Sequence, residues 1–74
     1  MNTTIQTLKN MEEPARLHAC NQIVNYFERK ENGLNPEFVG ELAFIGTPEP
    51  ELLEVAKVMI SEINDNNQIT YSTI

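Results

Sequence analysis

Cysteine occurs once in this 74-residue chain, at Cys20, so a disulfide within one chain is impossible. Histidine also occurs once, at His18. One His and one Cys leave a structural zinc cage short of ligands. Basic residues are scarce too: five Lys and Arg against eleven acids give a net charge of −6 with His neutral. Polyanions repel such a surface, which disfavours direct DNA or RNA binding and, for the same reason, docking on anionic membranes. No apolar run approaches the roughly 20 residues that span a bilayer. The opening MNTTIQTLKN has no basic stretch followed by an apolar one, so no signal peptide is expected. With a single thiol, the expectation is a cytoplasmic protein.

Motifs that carry chemistry are missing as well. The chain has no glycine-rich phosphate loop, no serine-nucleophile elbow and no Asp-x-Asp-x-Asp-Gly calcium loop. His18 and Cys20, two residues apart, point to different sides of a helix, which places them poorly as a nucleophile pair. Adjacent carboxylates such as Glu12-Glu13 need a pocket that raises a pKa before either serves as a general acid. A chain this short rarely encloses one. The expectation is therefore a protein with no catalytic residues, no cofactor and no bound metal.

What is present is a core. Hydrophobic residues make up 41% of the chain, enough for one small domain over residues 1–74. A core of this size supplies only about 3–5 kcal/mol unaided. With disulfide and metal unavailable, oligomerisation or partner binding is the remaining supplement, and a homodimer is expected.

Prolines at 14, 36, 48 and 50, and glycines at 33 and 46, divide the chain into helical segments. The first, about Thr4 to Met11, places Ile5, Leu8 and Met11 on one face. The second, about Pro14 to Lys30, carries Ala15, Leu17, Ala19, Cys20, Ile23, Val24, Tyr26 and Phe27 on an apolar arc of roughly half the circumference. So wide an arc predicts a central helix with more than one neighbour, stopped by Asn32-Gly33. The third, Pro36 to Ile45, reads as a helix capped by Asn35, with Phe38, Leu42 and Ile45 inward, Val39 at the edge and Gly40 in its interior. The fourth, capped by Thr47, buries Leu52, Ala56, Met59, Ile60 and Ile63 and ends at NDNN, 64 to 67. The tail QITYSTI, 68 to 74, reads either as a short strand or as a loose end. TTIQT near the start also alternates like a strand, though helix is favoured there. The expected fold class is all-α: a compact bundle of three to four short helices, with a short C-terminal strand as the one addition considered.

FIGTPEPELLEV, residues 44 to 55, has the outline of a helix-turn-helix DNA reader. Yet the second helix opens with Glu49, Glu51 and Glu54, where such a reader wants Arg, Lys or Asn. Two apolar residues fall off their core faces: Phe44, on the Gly40, Glu37 and Glu41 side, and Val58, among Glu51, Glu54 and Glu62. An apolar side chain ringed by carboxylates is a candidate interaction patch. These residues predict a non-enzymatic protein-binding module: a small acidic inhibitor, adaptor or regulator that occludes a partner protein. Phe44 and Val58 act as anchors in a basic or apolar groove of that partner, and Glu49, Glu51, Glu54 and Glu62 complement its rim. The alternative is a nucleic-acid mimic, its carboxylates imitating phosphates in the channel of a DNA- or RNA-handling protein. A helix-turn-helix regulator and an oligomeric ligand-binding protein rank below both.

Overall fold

The computed structural model describes residues 3–72, with side chains placed as far as Asp65. Helix α1 spans Thr3–Asn10, α2 spans Glu13–Glu31 and α3 spans Pro50–Ser72. A single short 3₁₀ helix, Gly40–Ile45, interrupts the connector between α2 and α3. The architecture is an all-α bundle with no strand among the described residues.

Helix α2 packs on α3 along its length and on α1 near the chain start, so it is the central helix that its wide apolar arc predicted. The core joins Ala19, Cys20 and Ile23 of α2 to Leu52, Ala56 and Met59 of α3, with Leu8 from α1 and Ile45 from the 3₁₀ helix. Leu8, Ile23 and Leu52 are essentially sealed from water. Each such side chain contributes about 1.5–3 kcal/mol relative to exposure. Small Ala19 and Ala56, both fully buried, leave little side-chain bulk where α2 meets α3. Ala15 of the predicted arc is exposed and Leu17 is half-buried, because the arc is wider than two neighbouring helices cover.

The end of α2 forms a Schellman motif. The Leu34 amide donates to the Arg29 carbonyl at 2.9 Å, and the Gly33 amide donates to the Lys30 carbonyl at 3.1 Å. Gly33 takes the required positive φ of 82°.

The third segment departs from expectation. Residues 34–39 are irregular, and only Gly40–Ile45 winds, as a 3₁₀ helix. Gly40 has a φ of 61°, which an α-helix cannot continue through. The glycine expected inside a helix is thus the bend that starts one. Helix α3 begins at Pro50, so Thr47 lies three residues ahead of it rather than at its cap. Its other end also differs: α3 runs through NDNN to Ser72. No Gly or Pro follows Pro50, and each added residue gains a hydrogen bond without a new nucleation cost. Positions 68–72 are therefore helical rather than a strand or a loose end; 73 and 74 lie outside the described residues.

Candidate functional site

The six residues singled out from the sequence fall into three places. Glu54, Val58 and Glu62, four residues apart on α3, line one side of an open groove of about 590 Å³. Ile5 and Lys9 of α1 and Arg16 of α2 line the other side, with Val55 and Met59 beside Val58. Val58 is 54% exposed, which is high for an aliphatic side chain in mid-helix. Arg16 is fixed there by the turn it closes: its Nη1 donates to the Met11 carbonyl at 2.9 Å. That bond satisfies a carbonyl left over at the end of α1.

Glu49 and Glu51 lie in a second, polar cleft of about 450 Å³, with Thr3, Thr4, Ile45, Thr47, Pro48 and Leu52. The Leu52 amide donates to the Glu49 carbonyl at 2.9 Å, which makes Glu49 the residue that leads into α3. Glu51, in the first turn, suits the positive end of the helix dipole. Glu51 therefore does not join Glu54 and Glu62 around Val58. Phe44 lines neither depression; it projects from the 3₁₀ helix, 40% exposed.

Sequence reasoning missed two features. Lys9 and Arg16 looked scattered, yet the turn between α1 and α2 sets both across from Glu54 and Glu62. Leu34 and Val39 are more exposed than Phe44, at 57% and 72%, so the connector carries three of the four exposed large apolar side chains among the described residues. A signal for the second feature was in the charge order. Residues 31–56 hold six glutamates and no Lys or Arg, whereas 1–30 carry four basic and three acidic residues, and 57–74 one basic and two acidic. The whole net charge of −6 thus resides on the connector and its two edges.

The connector is held by Ile45 and Leu42 against the core and by an aromatic stack at Phe38. The Phe38 ring stacks on Tyr26 of α2 at 4.9 Å and 15°, while Phe27 meets Tyr26 edge-on at 5.4 Å and Lys30 Nζ sits 5.9 Å from the Tyr26 ring centre. His18 is exposed and Cys20 is buried, on different sides of α2 as their spacing required. Burial pushes the Cys20 thiol above its ordinary value, and the Arg16 charge offsets this only in part. A buried, protonated thiol is a poor nucleophile. Among the described residues, no group of three or more His, Cys, Asp or Glu is placed to hold a metal ion. No helix among them is long and apolar enough to cross a membrane. The chain matches no protein-family model, no curated protein and no solved structure.

Proposed function

We propose that this chain is a non-enzymatic protein-binding module, a small acidic inhibitor, adaptor or regulator that acts in the cytoplasm by occluding a partner protein. One observation carries the reading: the connector exposes Leu34, Val39 and Phe44 on a segment whose only charges are glutamates. Exposed apolar side chains in an acidic frame suit an apolar pocket with a basic rim. The carboxylates raise the encounter rate, and the desolvated apolar anchors hold the complex.

The concentration of negative charge on residues 31–56 favours a second reading, a nucleic-acid mimic that fills a phosphate-binding channel. The two differ in what holds the complex. The deciding experiment is a tagged pull-down from the source cell, eluted in salt steps, with Phe44→Ala and Glu49→Gln/Glu51→Gln variants alongside. A partner that survives high salt and is lost with Phe44→Ala supports occlusion through apolar anchors. A nucleic-acid-handling partner that elutes at moderate salt and is lost with the Gln variants supports mimicry. Absence of any partner sensitive to these changes removes both readings.

A further inference from the structure

We propose that the groove between α1 and α3 is the contact face of a homodimer, in which two copies dock face to face about a two-fold axis running along the groove. The argument begins with charge. The chain as a whole carries −6, which opposes self-association, but this groove holds two cations, Lys9 and Arg16, and two carboxylates, Glu54 and Glu62. It is locally neutral, so a second copy meets no net repulsion there.

The arrangement of those charges then selects the symmetry. Both cations lie on the α1 and α2 side, and both carboxylates on the α3 side. A two-fold rotation along the groove carries each wall over the opposite wall of the other copy. Lys9 and Arg16 then face Glu54 and Glu62 of the partner subunit, twice over. A two-fold rotation across the groove would set like charge on like charge, which is unfavourable. A face that matches itself under one rotation and clashes under the other is what an isologous interface requires. Between the walls, Val58 and its neighbours Val55 and Ile5 supply the apolar strip that the second copy covers. The acidic connector is a separate surface, so this dimer stands apart from the partner reading above.

The test is the oligomeric state of the full chain by analytical ultracentrifugation, from micromolar to millimolar concentration. The expected result is a concentration-dependent species of twice the 8.4 kDa chain mass, lost with Val58→Asp. Lys9 and Glu54 are both exposed, so Lys9→Glu and Glu54→Lys leave the fold unchanged, which circular dichroism checks. Each charge variant alone weakens self-association by about tenfold or more, because the altered walls now face like charge. Mixing the two variants in equal amounts restores a dimer of one copy of each. A wild-type chain that stays monomeric throughout overturns the proposal. So do charge variants that dimerise as well as wild type, or a mixture that restores nothing. Loss of a different partner with Val58→Asp while the chain remains monomeric assigns the groove to that partner and equally overturns it.

Discussion

The Cys20 thiol on α2 lies 3.7 Å from the Met59 thioether sulfur on α3, at the centre of the helix pair that forms the core. Both groups are soft and polarisable, and the thiol, a weak donor, finds its acceptor in a side chain rather than in water. Cys20→Ala removes one buried sulfur and is expected to cost about 1 kcal/mol. Cys20→Ser buries a hydroxyl, stripped of its water, in an apolar core site, and costs about 1–3 kcal/mol. Urea unfolding of the two variants should rank Ser below Ala. The reverse order would mean that the hydroxyl finds a stronger acceptor than the Met59 sulfur.

The same thiol sets a pH dependence. Its folded pKa is raised, so the folded state holds its proton more tightly than the unfolded chain does. The stability it contributes is complete below the unfolded pKa, about 9, and falls as pH rises through and beyond it. Other groups titrate in that range, so the informative quantity is the difference between wild type and Cys20→Ala. That difference should shrink on the alkaline side, and a difference constant with pH would refute the linkage.

Leu52 is 2% exposed against the core, whereas Val58 is open to solvent. Leu52→Ala should cost about 2–5 kcal/mol, enough to unfold most of so small a domain. Val58→Ala should change monomer stability by no more than about 0.5 kcal/mol. Thermal unfolding at low concentration, where self-association is absent, separates the two.

A β-carbon added at Gly40 meets nothing within 4 Å, so strain there is entirely backbone strain. Gly40→Ala is expected to destabilise by about 1–3 kcal/mol, because an L-residue resists the positive φ. A D-alanine at the same position, introduced by chemical synthesis, favours that φ and should restore stability to the glycine level. Equal effects from the two mirror-image residues would point to crowding instead.

Phe38 tethers the connector through its stack on Tyr26. Phe38→Ala should free residues 34–45 while α2 and α3 stay packed. A glutamate-specific protease would then cut after Glu37 or Glu41 faster than in wild type, with little change in helical circular dichroism. Unchanged cleavage would mean that Ile45 and Leu42 alone hold the segment.

Much of this fold is legible in the residues. The stripe Leu52, Ala56, Met59, Ile60 and Ile63 is the buried or half-buried side of α3, and Ile5 and Leu8 of α1, with Met11 just after it, turn inward. Helical period and burial coincide there because a short bundle has only one inside. The connector was misread because Asn35-Pro36 and Gly40 fit a capped helix as well as a bend. Only the backbone angle at Gly40 distinguishes the two.

The sequence by itself determined the all-α class, the central place of α2, the acidic balance and the impossibility of a disulfide within one chain. These follow from periodicity and composition, which act locally or by count. The tertiary structure alone decided which side chains share a surface. It brought Lys9 and Arg16 across from Glu54 and Glu62, sent Glu51 to a different cleft, and left Phe44 apart from Val58. Those groupings depend on how the turn between α1 and α2 is closed and how α1 lies against the bundle. Contacts between residues some 40 to 50 positions apart are set by packing, and no local pattern encodes them.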